Sequence, residues 1–365
     1  MIIILQPLAE INLENLNHNY FIIQNEVGDS KVMGVIKADA YGHGAVEIAT
    51  SLSATKIHGF CVALVKEIIE LREHGITKPI LHLGKFFPIH LELFNANTIC
   101  TINAFEDIDV IQNYFVKTGN KISAHVKFDT GMGRMGFHYS QAEDVLAKIK
   151  QSSGILLEGI YSHFSTAEEV DSTFMELQRS QFDEVIQVSK TQFQNLTYHI
   201  SNSAGIFTDS QNHYDMVRPG ITLYGVTPFG KAHDKLQPIM HFKAPVVLKK
   251  KILNGESVGY NQTFFAEKDF EMAVIQAGYG DGIPMELSNS GSVVWNEKKL
   301  PIIGKVSMDL ITVDCTNIDI NVGDHVTLWG SVNHRIEWLS KEVNKNPYTF
   351  LTGVTKRVKR EYINA

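Results

Sequence analysis

The chain has 365 residues, 44% hydrophobic and 20% charged, with a formal net charge of −7. That is ordinary for a soluble enzyme, gives no footing for nucleic acid or an anionic membrane, and is long enough for two domains. Three distant cysteines, Cys61, Cys100 and Cys315, form no CxxC pair and argue against disulfides or a cysteine zinc site.

The opening Met1-Ile2-Ile3-Ile4-Leu5 has no basic flank, is too short for a signal segment and is cut by Pro7, and no apolar run approaches the ~20 residues of a membrane span. A cytoplasmic protein is expected. From there to about residue 225, short β-rich runs alternate with amphipathic stretches. Strands are predicted over Lys31–Lys37, Gly59–Leu64, Pro79–Leu83, Thr98–Ile102, Ile122–Phe128, Leu157–Tyr161, Thr197–Ile200 and Ile221–Tyr224. Helical patterns lie between them, among them Glu67–Arg72, Ala142–Ile149 and Ser172–Val188. Eight such units suggest an α/β fold with an N-terminal (β/α)8 TIM-like barrel over residues 1–230, although a doubly wound sheet has similar periodicity. After the break Thr227–Asp234, strands are predicted over Ala244–Ile252, Met272–Gln276, Ser292–Trp295, Ile302–Val306, Ile311–Cys315 and His325–Trp329, joined by tight turns. Residues 231–365 therefore read as a C-terminal, mostly antiparallel β domain. The basic run Lys356–Arg360 reads better as a solvated terminal strand than as a nucleic-acid patch.

Chemistry gathers at the carboxyl ends of the barrel strands, where barrel active sites lie. Lys37 ends the first strand in Val35-Ile36-Lys37-Ala38-Asp39-Ala40-Tyr41-Gly42-His43-Gly44. A partly desolvated lysine there can act as amine nucleophile or base; on local pattern alone a solvated lysine fits equally well. Lys127 lies in the fifth strand, before Asp129-Thr130-Gly131-Met132-Gly133-Arg134-Met135-Gly136; His163 follows the sixth, Ser201–Gly205 the seventh, and Arg218-Pro219-Gly220 leads into the last. Asn202-Ser203-Ala204-Gly205 and Gly220-Ile221 suit a phosphate, with hydroxyl and backbone amides in reach. A strand-tip lysine opposite such a cradle is the arrangement pyridoxal 5′-phosphate requires. No histidine pattern indicates a metal site.

These motifs, in order, resemble the alanine racemases. The similarity extends through Ser162–Ala167, Val217–Gly225, Gly255-Glu256-Ser257-Val258-Gly259-Tyr260, Gly278–Gly282 and Gly304-Lys305-Val306-Ser307-Met308-Asp309, from about Ala9 to Arg360. The resemblance implies a pyridoxal-phosphate isomerase that racemises alanine by two bases, supplies D-alanine for peptidoglycan, and works as a homodimer with shared active sites. Lys37 would carry the cofactor and act as base on the D-alanine face, with Tyr260 from the partner subunit as the second base. Tyr41, Asn202, Ser203, Gly220 and Ile221 would bind the cofactor, as would Lys356 in place of a family tyrosine. His163 and Arg218 would form a relay, Arg218 also capping the ring nitrogen. Arg134 would meet the cofactor or the substrate carboxylate, which the Met308 backbone would also bind, and Lys127 would be carbamylated. Met285 and Lys305 stand where relatives have arginines, so selectivity is open. The alternatives are a serine or broad-specificity racemase, a non-catalytic cofactor carrier, and a related decarboxylase.

Overall fold

The computed structural model describes residues 6–95, 97–169 and 173–364. The Met1–Leu5 run and Ser172, first residue of an expected helix, lie outside them. The chain forms two compact units. One comprises Tyr20–Ala40 and Ala45–Leu223; the other comprises Met1–Asn19, Tyr41–Gly44 and Tyr224–Ala365.

In the first unit eight parallel strands follow one another around a ring: Lys31–Val35, Gly59–Val62, Ile80–His82, Thr98–Ile102, Ile122–Asp129, Ile155–Tyr161, Thr197–His199 and Met216–Val217. The eighth pairs with the first. It meets the seventh where the Asp215 N–H donates to Tyr198 O (3.1 Å) and the Arg218 N–H to Ser201 O (3.0 Å). Helices such as Val65–Glu73, Ala142–Gln151 and Thr173–Lys190 separate the strands. Strands covered on both faces read as continuous apolar runs, and Thr98–Ile102 is buried throughout. Helix Ala142–Gln151 buries Ala142, Val145, Leu146 and Ile149, one face of an α-helical period.

One expected strand is corrected. Ile221–Tyr224 is a 3₁₀ turn, and the eighth strand is the two-residue Met216–Val217. The β-branched and aromatic residues of Ile221–Tyr224 suggest a strand, but Pro219 cannot donate to a ladder, and the Gly220 and Thr222 amides turn toward Ser203 Oγ. Arg218 thus follows the last strand instead of preceding it.

In the second unit the long strand Met240–Ile252 is the hub. It pairs antiparallel with Leu8–Asn12, Phe270–Ile275 and His325–Trp329. Leu8–Asn12 pairs in parallel with Lys359–Ile363. A small core of Ile252, Val258, Ala266, Phe270, Met272, Val274 and Ile303 packs beneath. The strand expected over Ile302–Val306 is displaced to Lys298–Pro301. Asn296 and Glu297 both adopt positive φ (45° and 65°), a hairpin turn that pairs Trp295 with Lys298 and sets the register. Among the described residues no helix is long and apolar enough to cross a membrane.

Candidate active site

Lys37 leaves the first barrel strand and enters an uncommon backbone. Ala38, Asp39, Ala40 and Tyr41 have φ of 53°, 55°, 50° and 55°, continuing to 84° at Gly42. Left-handed conformation costs roughly 1–2 kcal/mol per non-glycine residue, so a run of four needs support. Glu67 supplies some: one carboxylate oxygen accepts from the Ala38 N–H (2.7 Å), the other from Ala63 and Leu64 (2.8 and 2.9 Å). Asp39 accepts from the Ala45 N–H (2.8 Å). Desolvation lowers the pKa of the Lys37 amine, and the Arg134 cation lowers it further; Cys61 and Glu67 oppose them. That favours the neutral amine a nucleophile or base must have.

Lys127 is buried in the fifth strand, its Nζ 5.8 Å from the Tyr161 ring centroid. Desolvation, then Arg134 and Arg218, bring its pKa down to about 8, with Lys37 adding to the effect and Asp129 opposing it. The loop beyond is built on Asp129. Its carboxylate accepts from the amides of Gly131 (2.9 Å), Gly133 (3.1 Å) and Arg134 (3.1 Å). Burial alone would raise the Asp129 pKa, but these amides hold it below the usual value. The loop presents Arg134 at the surface. Gly136, at φ +106°, packs on Lys127: a Cβ there would lie 2.8 Å from Lys127 O.

Arg218 is buried and used almost entirely as a donor. Nη2 donates to Ser162 O (2.8 Å), Ile200 O (3.2 Å) and His163 Nδ1 (3.3 Å), and Nη1 donates to His199 Nδ1. The guanidinium also lies 5.0 Å from the Tyr161 ring centroid. His163 has its pKa held well below the ordinary value by desolvation, then by Arg218, Lys127, Arg134 and Lys37. Sequence reasoning missed His125, His199, Tyr161 and Glu67. A signal was available for one of them: Ser123, His125 and Lys127 recur every second residue of an apolar strand, on one face.

Three donors converge on Ser203 Oγ: Gly220 N–H (2.8 Å), Thr222 N–H (3.4 Å) and the Thr222 hydroxyl (3.1 Å). Asn202 uses its side chain locally, accepting from Ala204 and Gly205 and donating to Phe164 O.

Pyridoxal 5′-phosphate fits this set of residues. Among the described residues no acceptor is found for the Arg218 Nε–H or for the buried amides of Ser203 and Ile221, although buried donors are normally satisfied. Four cations, Lys37, Lys127, Arg134 and Arg218, also act on one another there, a cluster that calls for anions. A ring nitrogen and a phosphate would meet these demands.

The remaining candidates lie in the C-terminal unit. Tyr260 stands in a short turn, 69% exposed, before Asn261 and Gln262 at φ 59° and 50°. Met308 is 52% exposed in a turn where Gly280 N–H donates to Met308 O (2.9 Å). Lys356, Lys305 and Met285 also reach the surface to differing degrees. Tyr41 is buried against Tyr224 and Tyr348, ring centroids 5.0 and 5.8 Å away.

Comparison with known proteins agrees with this geometry. Family models for the alanine racemase N-terminal and C-terminal domains match residues 11–228 and 239–362. Alanine racemase 2 of Caldanaerobacter subterraneus subsp. tengcongensis is 36% identical over 366 residues, covering 97% of this chain and 94% of that one. The solved alanine racemase of Clostridium difficile 630 superposes with a TM-score of 0.91 at 33% identity, covering 99% and 97% of the two chains. That of Bartonella henselae, with covalently bound pyridoxal phosphate, superposes at 0.90 and 32% identity, covering 98% and 99%. A barrel with its amine, guanidinium and amide cradle at one end, and full-length matches to both family domains, place this chain among the alanine racemases, isomerases that depend on pyridoxal 5′-phosphate.

Proposed function

We propose that the chain interconverts L- and D-alanine in a homodimer, each site combining one barrel with Tyr260 of the partner subunit. The observation that carries this reading is the meeting, at one barrel end, of a desolvated amine, a buried guanidinium with an unused Nε–H and unpartnered amides beside Ser203.

When bound, the cofactor supplies an electron-accepting ring that acidifies the proton on the substrate Cα. The Lys37 amine would hold that group and, when free, serve as the base on one face of Cα. Tyr260 of the partner subunit does so on the opposite face, which inversion requires. Arg218 would cap the ring nitrogen with its Nε–H. Because guanidinium does not give up its proton, Arg218 would keep that nitrogen unprotonated and so favour racemisation over transamination. Arg218 can only donate, so His163 Nδ1 accepts and its proton sits on Nε2, available to a phenol oxygen.

Ser203, Gly220 and Ile221 hold the phosphate with hydroxyl and amides, Asn202 shapes the turn that presents them, and Tyr41 and Lys356 complete the set. Arg134 and the Met308 amide take the substrate carboxylate. Lys127 adds CO₂ to its neutral amine, forming an N–C bond and releasing a proton, which turns a cation into an anion beside Arg134. A pKa of about 8 supports this; it leaves roughly a tenth of the amine neutral at pH 7. The D-alanine supplies peptidoglycan synthesis in the cytoplasm, and the net charge of −7 accords with neither nucleic acid nor membrane as partner.

Borohydride reduction of the coloured holoenzyme should place the label on Lys37; a label elsewhere overturns the assignment. Racemisation assays on alanine, serine and lysine should give the highest kcat/KM for alanine, and a higher value for another amino acid would displace alanine as substrate. Native mass spectra should show a carbamate mass on Lys127; full activity with only the unmodified residue would reject that modification.

A further inference from the structure

Behind Arg218, two histidine rings cross the barrel interior in sequence. His199 Nδ1 faces Arg218 Nη1, and His199 Nε2 lies 2.8 Å from His125 Nδ1. The groups come from the fifth strand, the seventh, and the end of the eighth. The surroundings fix both rings. His199 stacks on Tyr161 with centroids 4.8 Å apart and planes 7° apart. The Tyr161 hydroxyl is held in turn at 3.0 Å from Thr101 Oγ1, which donates to His82 O (2.7 Å). Gly159 leaves room for His125, since a Cβ there would lie 2.8 Å from His125 Cε1.

Donor and acceptor counting sets every proton. Arginine has donors only, so His199 Nδ1 must accept. Neutral His199 then carries its proton on Nε2 and donates to His125 Nδ1, which leaves the His125 proton on Nε2. Protonating either ring sets two N–H groups against each other. Both histidines are wholly or almost wholly buried and have depressed pKa values, desolvation first and the Arg218 charge next, in keeping with neutral rings.

We propose that His199 and His125 are positioning residues: a one-way acceptor chain that fixes the plane of the Arg218 guanidinium and thereby aims its Nε–H at the cofactor's ring nitrogen. This rests on the reading of the site given above. The chain makes His199 a determinant of reaction specificity without touching substrate, because an arginine free to rotate would no longer cap the nitrogen steadily and transamination would compete with racemisation.

Solid-state NMR of histidine-labelled holoenzyme should show both rings neutral and protonated on Nε2 at neutral pH. An Nδ1–H tautomer or an imidazolium at either position overturns the proposal, with no variant required. His199→Phe keeps a stacked ring but removes the acceptor. The guanidinium would lose its aim, so kcat should fall roughly tenfold or more with KM within about twofold. The absorbance spectrum of the bound cofactor should shift, and the ratio of transamination to racemisation should rise. His199→Gln, which can accept and donate, should restore much of the spectrum and the ratio. An unchanged spectrum and ratio in folded His199→Phe refutes the chain while leaving the cofactor assignment intact. Wild-type protein that takes up no pyridoxal 5′-phosphate refutes the underlying reading instead.

Discussion

Lys127, Arg218 and His199 sit inside the barrel at 5%, 3% and 0% exposure, whereas Tyr260 and Met308 in the C-terminal unit stand at 69% and 52%. The barrel groups are held by buried hydrogen bonds, ring stacking and close glycine contacts. Tyr260 instead occupies a turn whose next two residues have positive φ, and its side chain is left to solvent. The contrast teaches that the barrel fixes its charged groups in place by packing, while the second unit displays its candidate groups at the surface.

The sharpest way to break that contrast is subunit complementation. On the proposed two-base reading, Lys37→Ala and Tyr260→Phe homodimers should each lose about 10³-fold or more in kcat, each lacking one proton-transfer group. Mixed dimers pair an intact Lys37 with an intact Tyr260 at one of their two sites. With half of the dimers mixed, activity should recover to about a quarter of wild type. No recovery on co-expression would place both bases in one chain. Tyr260→Phe should also still exchange the Cα proton of D-alanine with solvent D₂O without inverting it.

Much of this arrangement is legible in the sequence, and the exceptions have local causes. Seven of the eight barrel strands announce themselves as β-rich runs, five of them buried almost throughout. Met216–Val217 is too short to leave a period, and Ile221–Tyr224 has strand-like residues that Pro219 and Ser203 bend into a turn. Lys298–Pro301 is hidden because turn chemistry at Asn296 and Glu297, not hydrophobicity, sets its register. In the site, Lys37, Lys127, Arg134, His163 and Arg218 stand out by type and place. Glu67 does not, since an acidic residue in a helix's first turn is ordinary, and only the fold reveals its bonds to Ala38, Ala63 and Leu64. The His199–His125 pairing joins residues 74 apart and has no sequence period at all.

Tight packing inside the barrel makes a second, smaller prediction. Gly136→Ala would set a Cβ 2.8 Å from Lys127 O, at a φ of +106° that alanine rarely adopts. The holoenzyme should lose roughly 1–3 kcal/mol of stability, read as a lower melting temperature. An unchanged melting temperature would mean the wall around Lys127 is looser than the barrel contacts imply.

The pH dependence of stability sharpens the same point. His125 has its pKa brought to about 3 by desolvation first, then by Arg218, His58 and Lys31, and His199 is its hydrogen-bond donor. A histidine depressed on folding is neutral in the native state and protonated more readily in the unfolded chain. Its stabilisation is therefore whole above the unfolded value of ~6.5 and is lost as pH falls toward the folded one, by about 1.4 kcal/mol per pH unit. His125→Asn keeps an acceptor for His199 but cannot titrate. Its melting temperature should fall less steeply than wild type between about pH 6.5 and 5. Equal slopes would mean that His125 is not the neutral, buried group its surroundings dictate.

The smallest effect belongs to the exposed unit. Arg357 donates to Asp309 Oδ1 (2.7 Å) and lies 3.3 Å from Asp281 Oδ1. Asp281 is itself buried and accepts from the Gly278 N–H (3.0 Å), so Arg357 ties the Gly278–Gly282 segment to the turn bearing Met308. The arginine is about half exposed, and ion pairs in such settings contribute little. Arg357→Gln should leave kcat and the cofactor spectrum unchanged while raising KM for alanine by up to about fivefold, through a less firmly held Met308 amide. A large fall in kcat instead would mean that this exposed turn takes part in proton transfer as closely as the buried barrel groups do, and the division of labour between the two units would not hold.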